Sequence, residues 1–108
     1  MTTKTPQIIS ARKAHELLEA GAVLVDIREA PERNVVIPGA RHAPMSALAS
    51  QDLDAPSGPL IFHCRSGRRT AMNAGLLQAQ AGGCDVYLVD GGIDAWAAVG
   101  LTVRSGAA

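Results

Sequence analysis

The residue with the clearest chemical potential in this chain is Cys64, which follows Leu60-Ile61-Phe62-His63 and heads the run Cys64-Arg65-Ser66-Gly67-Arg68-Arg69-Thr70. A thiol at the end of an apolar run, followed by one glycine and three arginines, has the makings of a nucleophile facing an anion. No acidic residue occurs between Asp54 and Asp85, so Arg65, Arg68 and Arg69 place three positive charges in an otherwise neutral stretch. Backbone N–H groups entering the helix that follows this loop add the positive end of its dipole, worth a few tenths to about 2 kcal/mol for a nearby anion. Both effects favour the thiolate, the nucleophilic form of cysteine.

A loop of this kind needs rigid elements on either side. Leu60-Ile61-Phe62 reads as a strand buried on both faces, and so do residues 22–27 and 86–89. Ile8 and Ile9 suggest another short strand. Ser10 is a predicted N-cap, and Ala11, Ala14, Leu17 and Leu18 recur at helical spacing until Gly21. Good helix formers over residues 70–81, stopped by Gly82-Gly83, predict a second helix, and residues 93–99 a third. Residues 31–59 hold five prolines and predict irregular connections, with one turn of helix near residues 45–49. Alternating strands and helices imply an α/β fold: a small doubly wound, mostly parallel sheet of about five strands flanked by helices.

In such a sheet ligands bind beyond the carboxyl ends of the strands. Three polar clusters follow the predicted strands: Asp26, Arg28 and Glu29; His63, Cys64 and Arg65; Asp90, Gly91 and Gly92. Asp26 and Arg28 are read as braces for the loop. His63 is either a packing residue at a strand end or a hydrogen-bond partner of the thiolate. Trp96 fills core space or walls the crevice, and Gly91-Gly92 serve a tight turn.

With 108 residues the expectation is one domain, residues 1–108, with loose ends at about 1–6 and 104–108. Apolar residues make up 47% and charged residues 19%, a globular composition. Ten Lys and Arg balance ten Asp and Glu, which removes the global positive field that nucleic-acid or anionic-membrane partners rely on. No run of signal-peptide or membrane-span length occurs, and two cysteines make no disulfide framework, so a reduced, cytoplasmic setting is expected. Cys84 is taken as structural. The His and Cys residues show no zinc-type spacing, so neither metal nor cofactor is expected.

Four ordered segments resemble the rhodanese-like sulfurtransferases. Val25-Asp26-Ile27-Arg28 with Glu32 is similar to that family's Asp-aliphatic-Arg signature, and Ile37-Pro38-Gly39-Ala40 to its Ile-Pro-Gly-Ala segment. Ile61-Phe62-His63-Cys64 opens its active-site loop, and Asp90-Gly91-Gly92-Ile93-Asp94-Ala95-Trp96 is similar to its closing element. Val35-Val36 stand where the family often has Gly-His. The arrangement resembles the cytoplasmic rhodanese domain of some bacterial membrane-anchored sulfurtransferases, without their hydrophobic hairpin. The resemblance implies that Cys64 takes the outer sulfur of a small anionic donor such as thiosulfate, holds it as a persulfide, and passes it to a thiol or cyanide acceptor. Residues Arg65, Ser66, Gly67, Arg68, Arg69 and Thr70 then bind the donor and stabilise charge on the outer sulfur.

Two other readings compete. Phosphatases and arsenate reductases of related fold place an arginine six residues after the cysteine, whereas here that position is Thr70 and the arginine falls one place earlier, at Arg69. A regulatory module that captures a thiol modification at Cys64 without turnover is the third.

Overall fold

The structure, a computed structural model, describes residues 5–50 and 58–106. The chain opens with strand β1 (Gln7–Ile9) and helix α1 (Ala11–Glu19). Ser10 is the N-cap, its Oγ accepting the Lys13 N–H at 3.1 Å, and Ala11 and Ala14 turn inward. Strand β2 (Val23–Asp26) follows, then a 3₁₀ turn at Ala30–Glu32, strands β3 (Val35–Val36) and β4 (Arg41–His42), and a second 3₁₀ segment at Met45–Ser50. The remainder comprises β5 (Leu60–His63), α2 (Arg68–Met72), α3 (Ala74–Ala81), β6 (Val86–Val89), α4 (Gly92–Ala98) and β7 (Arg104–Ser105).

Five strands form one parallel sheet in the order β1-β6-β5-β2-β4. Strand β5 is central, and all four of its residues are buried, as an apolar run covered on both faces requires. Alternation along the strands feeds two cores. On one face Val25, Leu60, Phe62, Cys64 and Leu88 pack with Leu48 and with Leu77 and Ala81 of α3. On the other, Leu24, Ile61 and Val89 pack with Ala11 and Ala14 of α1 and with Ile93 and Trp96 of α4. Each large apolar side chain withdrawn in this way contributes roughly 1.5–3 kcal/mol. The doubly wound α/β architecture is therefore as expected.

Three local expectations need correction. The helix predicted over residues 70–81 is two helices, because Asn73 leaves helical geometry (φ −114°, ψ 21°) and its side-chain Nδ2 donates to the Arg69 carbonyl at 2.8 Å. Asn competes with the helix ladder through such local bonds, and α2 is left with only five residues. The stretch of residues 31–59 contains β3 and β4, too short to show periodicity. Residues 104–105 are not loose: β7 pairs antiparallel with β3, Val36 facing Arg104, and the Gly106 N–H donates to the Asn34 carbonyl at 2.8 Å. Residues 1–4 and 107–108 lie outside the described residues.

A chain ending after Val103 should lose about 1–2 kcal/mol of stability, the net worth of one or two such hydrogen bonds. Urea unfolding would measure this, and hydrogen exchange should accelerate at residues 33–36 if the pairing is what holds them.

Candidate active site

Parallel register brings the three polar clusters to one edge of the sheet. Asp26 at the end of β2 lies beside His63 at the end of β5, and the chain beyond each strand turns into the same crevice. The loop from Cys64 to Gly67 then descends into α2. Gly67 has φ +87°, and a Cβ there would lie 2.8 Å from the Gly91 nitrogen, so this position demands glycine.

The loop is held from behind by the start of α4. The Ile93 N–H donates to the Cys64 carbonyl at 2.9 Å, and the Asp94 N–H to the Arg65 carbonyl at 3.0 Å. Close backbone approach makes this possible: Gly92, with φ +57°, has no room for a Cβ against the carbonyls of Cys64 and Arg65. The glycine pair expected to serve a tight turn thus also clamps the cysteine loop.

Cys64 is 1% exposed and lines a pocket of about 210 Å³ together with Arg65, Ser66, Arg68, Arg69 and Met72. The Gly67 N–H points at Sγ from 3.2 Å. Thr70 Oγ1 lies 4.0 Å from Sγ and donates to the Gly67 carbonyl at 3.0 Å. A sulfur anion here meets an amide donor, a hydroxyl and nearby guanidinium groups, the setting that stabilises charge on sulfur. Arg65 and Arg68 are exposed at the mouth. Cys84 is elsewhere: it precedes β6, at the amino end of the parallel strands, and six residues of register separate it from Cys64, about 20 Å at the rise of a strand.

Two of the three arginines, which the local sequence leaves uncompensated, have acidic partners from elsewhere in the chain. Arg69 forms a two-pronged pair with Glu32, Nη1 to Oε1 at 2.9 Å and Nη2 to Oε2 at 2.8 Å, and Arg65 Nε lies 3.7 Å from Asp94 Oδ2. Glu32 is 37 residues from Arg69, beyond any local spacing signal. It is positioned by the buried ion pair of Asp26 and Arg28. Arg28 Nε and Nη2 donate to the Asp26 carboxylate at 3.0 and 2.8 Å, and Arg28 then reaches on to the carbonyls of Glu32 and Val35. The Arg28 backbone N–H and Arg33 Nε also donate to Asp26, each at 3.0 Å. Asp26 and Arg28 together tie the end of β2 to the backbone of residues 32–35. Glu32, Arg33, Gly92 and the amides of Ile93 and Asp94 were not assigned as site residues from the sequence.

Burial pushes the Asp26 carboxyl up, but the hydrogen bonds and charge of Arg28 outweigh it and hold the group at about 2 against an ordinary 3.8. The hydrogen bonds from Arg69, with the Glu29 amide, hold Glu32 at about 2 against 4.5. His63 does not face the thiol. Its Nδ1–H donates to the Cys64 carbonyl at 3.1 Å, its Nε2 is 3.9 Å from Asp26 Oδ2, and burial lowers its proton affinity. Trp96 is core, its Nε1 donating to the Thr102 carbonyl at 2.9 Å. Among the described residues no group of three or more His, Cys, Asp or Glu is gathered to hold a metal ion.

Residues 10–99 match the Rhodanese-like domain family. The chain belongs to that family. It is 36% identical over 101 residues to the thiosulfate sulfurtransferase GlpE of Pseudomonas paraeruginosa, covering 88% of this chain and 87% of that protein. It is 40% identical over 96 residues to the GlpE of Ectopseudomonas mendocina, covering 83% and 84%. Its fold is similar to that in the crystal structure of a thiosulfate sulfurtransferase from Pseudomonas aeruginosa, with a TM-score of 0.80 at 23% identity, over 97% of this chain and 20% of that one.

The charged brace dictates how this rhodanese-like domain responds to pH. Below about pH 6.5 the unfolded chain protonates His63 while the buried ring resists, so stability begins to fall. Between about pH 4.5 and 2 the unfolded Asp26 and Glu32 take protons that the folded state refuses, and a steeper loss follows. The Asp26 share is about 2 kcal/mol, because each tenfold difference in proton affinity between the folded and unfolded chains is worth about 1.4 kcal/mol. Urea midpoints at pH 8, 5.5 and 2.5 should show both stages, and His63→Gln should remove the upper one. Gly92→Ala should cost about 1–3 kcal/mol and slow alkylation of Cys64, because the new methyl displaces the loop from α4.

Proposed function

We propose that this chain is a sulfurtransferase that moves a sulfane sulfur from an anionic donor, thiosulfate being the reference case, to a thiol or cyanide acceptor. The observation that carries this reading is Cys64 at a pocket of about 210 Å³, its sulfur facing the Gly67 amide at 3.2 Å. The relatives named thiosulfate sulfurtransferase, at 36% and 40% identity, support the choice of donor.

The Cys64 thiolate attacks the outer sulfur of thiosulfate. The donor's S–S bond breaks, sulfite leaves with the bonding pair, and a Cys64 persulfide forms. An acceptor thiolate or cyanide then attacks the outer persulfide sulfur, expelling the Cys64 thiolate. No net oxidant or reductant is consumed. Arg65 and Arg68, exposed at the mouth, draw in the donor, with Arg69 on the pocket wall. The Gly67 N–H meets the charge that collects on sulfur, and Ser66 and Thr70 complete the polar lining. A reducing, cytoplasmic setting suits a cysteine that must return as a thiolate each cycle. Against a phosphatase, the loop is one residue short, and both terminal nitrogens of Arg69 bond Glu32.

Incubation with thiosulfate should add one sulfur atom to Cys64, seen by intact-protein mass spectrometry, and an acceptor thiol should remove it. Cys64→Ser should lower transfer at least roughly 1,000-fold, in line with the loss of an essential nucleophile. Cys84→Ser should keep most of it. Equal loss in both variants would indicate a dithiol mechanism, and a persulfide that no acceptor discharges would indicate a sensor.

A further inference from the structure

Binding of an anion in this pocket depends on how many positive charges are free to face it. Three arginines line it, but their guanidinium groups differ in commitment. Arg68 is exposed, and Arg65, with a side chain 75% exposed, is only loosely paired at 3.7 Å. Arg69 is spent on a two-pronged bond at 2.8 and 2.9 Å. Its partner is built for the task. Glu32 ends the 3₁₀ turn Ala30–Glu32, its Oε1 also accepts the Glu29 N–H at 3.0 Å in a capping box, and its carbonyl accepts Arg28 Nη1 at 3.2 Å. Such a carboxylate is a fixed group rather than a mobile surface one.

We infer that Glu32 is a specificity residue: by holding Arg69 it limits the positive charge of the Cys64 pocket, and so limits how strongly the pocket prefers a dianionic donor to a singly charged one. Coulomb energy scales with ligand charge, so a change in pocket charge acts on a dianion as the square of its effect on a monoanion. The same restraint lets a dianionic product leave the pocket. The inference rests on the proposed sulfur-transfer reading only in calling the bound anion a donor.

The test is made on the full chain by NMR titration of the Gly67 amide with sulfate, a dianion, and methanesulfonate, a monoanion of similar shape, at constant ionic strength. Glu32→Gln keeps an oxygen for the Glu29 amide but gives up the charge. It should tighten sulfate roughly tenfold and methanesulfonate roughly threefold, the free charge-assisted hydrogen bond of Arg69 supplying the gain. The double variant Glu32→Gln with Arg69→Gln should lose that gain. In kinetics, Glu32→Gln should lower the KM for thiosulfate more than that for the monoanion benzenethiosulfonate, a split that loosened packing would not produce. Equal changes for both anions, no tightening, or a gain that survives in the double variant would overturn the inference. If Glu32→Gln does not fold, Arg69→Gln should cost less sulfate affinity than Arg68→Gln, and the reverse order would overturn it. The anion titration needs no turnover, so absence of sulfur transfer in the unmodified chain would sink the functional reading and leave this one to be decided separately.

Discussion

One buried carboxylate organises the carboxyl edge of the sheet. Asp26 is fully enclosed, and an ionised group there is tolerable only because Arg28 and Arg33 surround it with donors. Arg28 is nearly as buried, and its remaining N–H groups bind the carbonyls of Glu32 and Val35. The pair is thus a stitch between the sheet and the segment leading to β3. Removing it would free the backbone of Glu32 and Val35 from the end of β2.

The cysteine loop has two such supports, on opposite sides. From the β2 side comes the Glu32–Arg69 ion pair. From the β6 side come the amides of Ile93 and Asp94, brought close by a glycine whose missing Cβ is replaced by carbonyl oxygens. Between them the loop gives Sγ an amide at 3.2 Å and leaves its own surface arginines facing solvent. Preorganised donors of this kind need no rearrangement when charge appears on sulfur. The arginines differ accordingly: Arg69 is tied to Glu32, whereas Arg65 and Arg68 are exposed.

Much of the architecture was legible because it depends on local regularities. Apolar runs too short for helices became buried strands, and Ser10 and Gly21 bounded α1 as their capping chemistry requires. Cys64 stood out because strand end, glycine and cations coincide at one residue. What escaped was of two kinds. Two-residue strands carry no periodicity, so β3, β4 and β7 left no trace. The break at Asn73 lies in a run whose composition favours helix, and only the side-chain bond to the Arg69 carbonyl decides it.

By itself, the order of residue types determined the longer strands of the sheet, the place of the thiol at a strand end and the polar clusters at three strand ends, because those follow from spacing along the chain. Only the tertiary structure decided how charges pair across it. Glu32 and Arg69 are separated by 37 positions, and Asp94 reaches Arg65 from another loop. A charge count along the chain sees three free cations where the folded molecule has one pair tightly closed, since electrostatic compensation depends on distance in space and not on distance in sequence.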